Sequence, residues 1–149
     1  MNWYGGIDPG KNGGFAIVSK GNDEKKVFPW DDTSFVKFLR DLLENGEKIE
    51  CVCVEKVNAM PGNGSVSMFK FGQSFGFIIG VLTALKIPFQ LVPPRVWKKE
   101  FSLDNDKQKS IETCQRLFPD VNLIPPRCRN PHDGEAESLL LAAYASRHF

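Results

Sequence analysis

The stretch IECVCVEKV, at residues 49 to 57, is almost continuously apolar and rich in β-branched side chains. Such a run is typical of a strand that is covered on both faces, which requires helices on the two sides of a sheet. Glu55 lies inside the VCVEKV half of the run, where a charge is costly unless a partner or a metal ion compensates it. The stretch therefore predicts a layered α/β domain with a reason to keep a buried carboxylate.

The remaining sequence supplies the other elements of such a domain. Strands are expected at residues 3 to 7, 14 to 19, 25 to 28 and 89 to 92, and the first two are joined by the turn DPGKNG. Helices are expected from residue 31 or 32 to about 45, and at about 65 to 86, 106 to 118 and 132 to 146. The order β-β-β-α-β-α-β-α-α predicts a mixed sheet flanked by helices. A chain of 149 residues is long enough for one core and short for two, so residues 1 to 149 are expected to form a single domain.

Charge is distributed unevenly, although the net charge is only +1. Residues 86 to 130 carry nine Lys and Arg against five Asp and Glu, whereas residues 131 to 149 carry one against three. The four cysteines lack CxxC spacing, which favours reduced thiols, and no secretory segment is recognised, so a cytoplasmic protein is expected. The apolar stretch at residues 75 to 85 is about half as long as a membrane span and is expected to be a core helix.

Acidic residues fall at three separate positions of the predicted fold. Asp8 ends the first strand, Glu55 lies near the end of the central strand, and Asp133 and Glu137 share one face of the last helix. Glu135 points about 200° away from Asp133 by helical geometry. These positions can converge on one acidic patch, and ligands that are all oxygen suit Mg²⁺ or Mn²⁺ and not zinc.

Each of these acids also has a simpler interpretation. Asp133 is favoured in the first turn of a helix by the helix dipole alone, and Glu137 alone would be a solvated helical residue. Asp8 precedes Pro9 and Gly10, so it can belong to a hairpin turn in which it accepts backbone hydrogen bonds. Only the joint arrangement favours a metal site over these separate roles.

The segments GIDPGKNGG, VEKV, VPPRVWKKEF, DKQKS, LFP and HDGEAESLLLAAYA occur in this order along almost the whole chain. Together they resemble the RuvC-type Holliday junction resolvases, above all the short forms of phages and organelles. The resemblance implies a ribonuclease H-like fold, with a mixed five-stranded sheet made of an antiparallel meander and parallel strands. It also implies a homodimer that cuts four-way DNA junctions, and possibly other branched DNA, with two Mg²⁺ or Mn²⁺ ions per active site, leaving 5′-phosphate and 3′-hydroxyl ends.

The resemblance assigns roles to individual residues. It implies that Asp8 bridges the two metal ions and that Glu55, Asp133 and Glu137 are further ligands, with His132 as an alternative to Asp133. The final acids are four residues apart here, whereas three is common in bacterial relatives, and the last one is a glutamate where many relatives have aspartate. A lysine close to the scissile phosphate corresponds to Lys107, whose simpler interpretation is a solvated residue at a helix start.

DNA contacts are expected from the basic middle of the chain and from the glycine-rich loop after Glu55. Met68 and Phe69 are suited to insertion at the unpaired centre of a junction, or they begin the core face of the second helix. Gly72, Gly76 and Gly80 form a smooth ridge that packs on the sheet of the same chain or on a two-fold related helix. The expected phosphate contacts are Arg95, Lys98, Lys99, Lys107, Lys109, Arg127 and Arg129.

Two other classes of function stay open at this point. A module that binds branched DNA without cutting it would share the basic segment and the fold. GIDPGKNGG is also similar to the first phosphate loop of sugar kinases and actin-like ATPases, but those proteins place a nucleotide between two such domains, and this chain has the length of one.

Overall fold

A computed structural model of the protein describes residues 1 to 56 and 64 to 149. The strands are β1 (Asn2–Asp8), β2 (Gly14–Ser19), β3 (Lys25–Pro29), β4 (Lys48–Glu55) and β5 (Phe89–Val92). The helices are α1 (Asp32–Glu44), α2 (Ser65–Ala84), α3 (Pro94–Glu100), α4 (Lys107–Leu117) and α5 (Asp133–His148). Val57, which the sequence assigns to the fourth strand, lies outside the described residues.

The strands form one five-stranded sheet in the order β3-β2-β1-β4-β5. Strands β1, β2 and β3 pair antiparallel, while β4 pairs parallel with both β1 and β5. One core, around Trp97 and Leu140, contains residues of α3, α4 and α5, and a second core, around Ile7 and Leu82, contains residues of α1 and α2. The predicted mixed sheet flanked by helices is therefore confirmed.

The basic segment after β5 is a helix that the sequence interpretation missed. α3 begins at Pro94, directly after Pro93, and its last turn carries Lys98 and Lys99. Proline is favourable at the first helical position, where its missing N–H is not needed. This short helix buries Trp97 and Lys98, and the site depends on both.

Helix α2 departs from the expected core helix in a different way. Ile78 and Leu82 are buried, but all residues from 64 to 70 are exposed. A Cβ atom added to Gly72, Gly76 or Gly80 would have no neighbour within 4 Å among residues 1 to 56 and 64 to 149, so this ridge does not pack on the sheet. α2 is long and apolar enough to cross a membrane by length and composition, yet 11% of its most apolar window is buried in the protein.

Candidate metal centre and nucleic-acid surface

Asp8 and Glu55 lie side by side at the C-terminal ends of two interior strands of the sheet. They are the last residues of the parallel neighbours β1 and β4, whose register places Ile7 beside Val54. Side chains alternate along a strand, so Asp8 and Glu55 project on the same face as Gly6 and Cys53, toward α5. The sheet itself therefore brings together two acids that are distant in sequence.

Helix α5 contributes the third acid because two glycines let it approach the sheet closely. A Cβ atom on Gly6 would lie 2.2 Å from the carbonyl oxygen of Ser138, and one on Gly134 would lie 2.2 Å from that of Asn12. Any larger residue at either position would push the helix away from the strand ends. This contact leaves the Glu137 side chain 1% exposed, facing Asp8 and Glu55.

Ligand oxygens of Asp8, Glu55 and Glu137 all lie within 4.8 Å of one another. Asp133 is at the rim: its side chain is 36% exposed, and it reaches this group through Lys107, at 3.6 Å. His132 precedes α5 as its N-terminal cap residue, and its Nδ1 is buried without a hydrogen-bond partner in the part of the chain that the structure describes. Three of the four predicted carboxylates thus meet directly, and the roles of Asp133 and His132 stay predictions.

Burial and neighbouring acids raise the pKa values of Asp8 and Glu55. Burial, followed by the charges of Glu55 and Glu137, holds the pKa of Asp8 well above its ordinary value. Burial and then Glu137 likewise raise the pKa of Glu55, although a hydrogen bond from Trp97 and the charge of Lys98 oppose the shift. Crowded, poorly solvated carboxylates of this kind are stabilised in their ionised form by a bound cation.

Two lysines supply positive charge to this acidic group. Lys107 Nζ lies 3.3 Å from Glu137 Oε2, and Lys98 Nζ lies 3.6 Å from Glu137 Oε1. Ser110 Oγ donates a further hydrogen bond to Glu137, at 3.2 Å. Burial alone would lower the pKa of Lys107, but Glu137, Asp8 and Asp133 outweigh it and the pKa is raised. Lys107 is therefore charged beside the acids, where the sequence predicted a lysine near the phosphate.

Lys98 has a different setting from the other predicted DNA-contact residues. Its side chain is 9% exposed, because α3 turns it inward to Glu137 and over the Trp97 ring. The sequence could not separate it from Lys99, which is exposed one position later, because both are lysines of the same run. We find that Lys98 belongs to the acidic site, and its contact with DNA stays a prediction.

Trp97 is the main site residue that sequence reasoning missed. Its indole Nε1–H donates a hydrogen bond of 2.9 Å to Glu55 Oε2, and both side chains are buried. The pair is separated by 42 residues, so no local pattern links it. The signal available in the sequence was the aromatic residue within a run of cations, WKK, which needed a buried partner for its N–H.

The residues present suit a hard divalent cation. The three clustered ligand side chains are all carboxylates, and the neighbouring donors are ammonium, hydroxyl and indole groups, without a thiol. Oxygen donors are the ligands that Mg²⁺ and Mn²⁺ prefer. The site therefore fits the predicted cofactor class by its chemistry.

A basic cleft of about 830 Å³ adjoins this site. Lys56, Arg95, Lys98 and Lys99 line it together with Pro93, Pro94 and residues 102 to 105. Lys109 is exposed outside it and pairs with Asp104 at 2.6 Å. Arg127 and Arg129 are exposed in the loop before α5. Of the predicted phosphate contacts, Arg95, Lys98 and Lys99 line this cleft. Lys109 is paired with Asp104, which partly neutralises its charge.

Met68 and Phe69 lie on the exposed first turns of α2, at 38% and 68% exposure. The interpretation that they begin a core face is wrong, because all residues from 64 to 70 are exposed. The rest of the glycine-rich loop that was expected to contact DNA, residues 57 to 63 with Met60, lies outside the described residues.

The chain matches no protein-family model and no curated protein sequence. Its structure is similar to that of RuvC from T. thermophilus in complex with Holliday junction substrate, with a TM-score of 0.62 and 15% identity, over 99% of this chain and 96% of that chain. A Thermus thermophilus RuvC structure gives a TM-score of 0.60 and 16% identity, over 97% and 95% of the two chains. The RuvC-like, ribonuclease H-like fold inferred from the motifs is thereby confirmed.

Proposed function

We propose that this protein is a metal-dependent endonuclease that cuts four-way DNA junctions. The observation that carries the proposal is the convergence of Asp8, Glu55 and Glu137 at the ends of β1 and β4, beside a basic cleft. The RuvC-like fold supports it, since the sequence motifs and the fold point to the same class. A phosphate-loop function of the kinase type has less support, because it would need a second such domain around the nucleotide and the described residues form one five-stranded sheet.

Asp8, Glu55 and Glu137 would hold two Mg²⁺ or Mn²⁺ ions, with Asp133 or His132 as an additional ligand. Bound there, the ions would supply an activated water and positive charge at the leaving oxygen. The 5′-phosphate and 3′-hydroxyl products follow if the bond between phosphorus and the 3′ oxygen is broken.

The protein's own cations have separate tasks in this proposal. Lys107, 58% exposed at its side chain and bound to Glu137, can turn toward a phosphate and offset charge that develops on its oxygens. Lys98 stays inside, where it compensates Glu137. Removing either cation leaves an excess of buried negative charge. Both lysines therefore also affect the affinity of the acids for a metal ion.

DNA would lie along the basic cleft. Arg95 and Lys99 are exposed at its mouth and can bind phosphates without reading the sequence. Met68 and Phe69 are exposed in the N-terminal turns of α2, from which an apolar side chain could enter an open junction centre. Lys109, Arg127 and Arg129 would extend the phosphate contacts around the acidic site.

A second copy of the chain is proposed as the partner of α2. This helix presents apolar side chains and an open glycine ridge, Gly72, Gly76 and Gly80, to the surface, which permits close approach of another backbone. A homodimer would cover this surface and present two acidic sites to the two-fold symmetric arms of a junction.

Asp8→Asn tests the metal assignment. We expect cleavage of a synthetic four-way junction in Mg²⁺ to fall by more than about 10³-fold, since a lost metal ligand removes several kcal/mol of transition-state stabilisation. Binding of the junction in Ca²⁺ should be retained, measured by gel mobility shift. The metal-free variant should have a higher free energy of unfolding than the metal-free wild type at pH 8, because burial disfavours the ionised Asp8 carboxylate in the fold.

Asp23→Asn is the matched control, since it removes an exposed aspartate outside the site and should leave cleavage unchanged. Cleavage by the Asp8 variant at the wild-type rate would refute the metal assignment. If the wild-type protein binds four-way junctions but cuts no four-way, three-way, flap or linear duplex DNA in Mg²⁺ or Mn²⁺, the protein is a non-catalytic module that binds branched DNA.

A further inference from the structure

The carboxylate of Glu55 accepts a hydrogen bond from the buried indole of Trp97. The ring is fully buried, donates its N–H to Glu55 Oε2 at 2.9 Å and packs edge-on against Phe101 at 6.4 Å between ring centroids. An indole N–H can donate a hydrogen bond but cannot accept one or bind a cation. The bond therefore restricts the rotation of the Glu55 carboxylate, which has an oxygen within 4.8 Å of ligand oxygens of Asp8 and Glu137.

Local structure fixes Trp97 in this position. Glu55 pairs with Val92 of β5, and Lys56 N–H donates to the Val92 carbonyl at 2.9 Å, so the ends of β4 and β5 are joined. α3 then begins within two residues of β5, at Pro94, whose ring restricts the backbone. The distance between Glu55 and Trp97 is thus set by a short and stiff connection.

We propose that Trp97 is a positioning residue for the metal ligand Glu55, fixing its carboxylate orientation before a cation binds. The inference rests on the proposed metal-dependent function and adds a residue that acts through Glu55 without touching substrate or metal. Partners that orient metal ligands typically contribute ten- to a hundredfold to metal affinity, about the range expected here. α3 also carries Arg95 and Lys99 of the basic cleft, so one short helix would serve both the metal ligand and the DNA surface.

The chain provides its own controls, because all three tryptophans donate to a carboxylate. Trp3 donates to Glu47 at 3.2 Å and Trp30 to Asp32 at 2.7 Å, and neither acid belongs to the clustered site. Replacing each tryptophan by phenylalanine removes the same type of bond and keeps an aromatic ring. A change specific to position 97 therefore reports on Glu55 and not on loss of an indole in general.

The experiment measures Mg²⁺ binding to the full chain by calorimetry for wild type, W3F, W30F and W97F. We expect the dissociation constant to rise about ten- to a hundredfold for W97F and to be unchanged for W3F and W30F. In junction cleavage, W97F should need correspondingly more Mg²⁺ for half-maximal rate, while kcat at saturating Mg²⁺ recovers toward wild type.

A second readout does not require W97F to fold. In the W3F/W30F protein the remaining indole is Trp97, and its fluorescence emission should change as Mg²⁺ binds, with a midpoint equal to the calorimetric dissociation constant. Unchanged emission at saturating Mg²⁺, or a folded W97F that binds Mg²⁺ with wild-type affinity, would overturn the inference while leaving the metal site intact. If wild type binds no Mg²⁺ by calorimetry, the proposed metal-dependent function itself fails, and the role of Trp97 falls with it.

Discussion

Helices α5 and α2 show opposite relations between composition and burial. α5 carries three acidic residues, yet twelve of its sixteen residues are buried, including Glu135 and Glu137. α2 is rich in phenylalanine and isoleucine, yet two of its twenty residues are buried. α5 is buried because Gly6 and Gly134 let its backbone approach the sheet closely. The glycines of α2 have no neighbour at this distance among the described residues.

Each helix is less stable in the fold than its composition would allow. Burying acids in α5 costs free energy that a cation or a lysine has to offset. Exposing apolar residues in α2 forgoes burial that a partner could provide. One helix is thus arranged around a charge-binding site, and the other is arranged for a further surface.

The largest expected effect concerns the contact of α5 with β1. Gly6→Ala would place a Cβ atom 2.2 Å and 2.3 Å from backbone atoms of Ser138 and Ala142, which cannot move without displacing the helix. We expect a loss of at least about 3 kcal/mol in the free energy of unfolding, measured by urea denaturation. Gly5→Ala is the neighbouring control, where the Cβ would meet the Val52 side chain at 2.9 Å, and it should cost less. Equal losses for the two variants would contradict the close-approach explanation.

A smaller effect on the free energy of unfolding is expected from Glu135, the acid of α5 that lies outside the proposed metal site. Burial raises the pKa of Glu135 from 4.5 to about 7, and its Oε2 has no hydrogen-bond partner among the described residues. The folded protein therefore holds a proton that the unfolded chain releases near pH 4.5, so stability falls as pH rises from about 4.5 to 7.

Glu135→Gln should remove this dependence, with a gain of about 2 kcal/mol in the free energy of unfolding at pH 8 and almost none at pH 4. Urea denaturation of both proteins across this pH range measures the difference, which cancels the contributions of Asp8 and Glu55. Parallel stability curves for the two proteins would show that Glu135 is ionised in the fold at no cost.

The smallest effect on the fold is expected on α2. Gly76→Ala places its Cβ atom in open space, so the helix should gain about 1 kcal/mol from propensity when the protein is dilute. The larger Gly76→Leu should instead weaken the proposed dimer by about tenfold or more, measured by sedimentation equilibrium.

Gln115→Leu on the exposed side of α4 adds the same side chain elsewhere and should not affect association. A Gly76→Leu protein that dimerises as wild type does would exclude the glycine ridge as the contact. A monomeric wild type that sediments with lipid vesicles would assign the apolar face to a membrane.

Much of the candidate site was readable because it depends on local patterns. An apolar run that ends in an acid predicts a buried strand with a carboxylate at its end, as for Glu55, and the i, i+4 spacing predicts that Asp133 and Glu137 share a helix face. Asp8 followed by a Pro-Gly turn was placed correctly at the end of β1 for the same reason. The ordered motifs then gave the fold, which the similarity to RuvC structures confirms.

Local sequence patterns were therefore enough to predict the strands, four of the helices and the positions of the acids, because strand and helix periodicity are properties of neighbouring residues. The packed fold was needed to show that Lys98 turns inward while Lys99 is exposed, that Trp97 bonds to Glu55, and that most of α2 is not buried. These features depend on contacts between residues 30 to 42 positions apart and on how closely two backbones approach. Such distances are set by the packing of the whole sheet, which no local pattern contains.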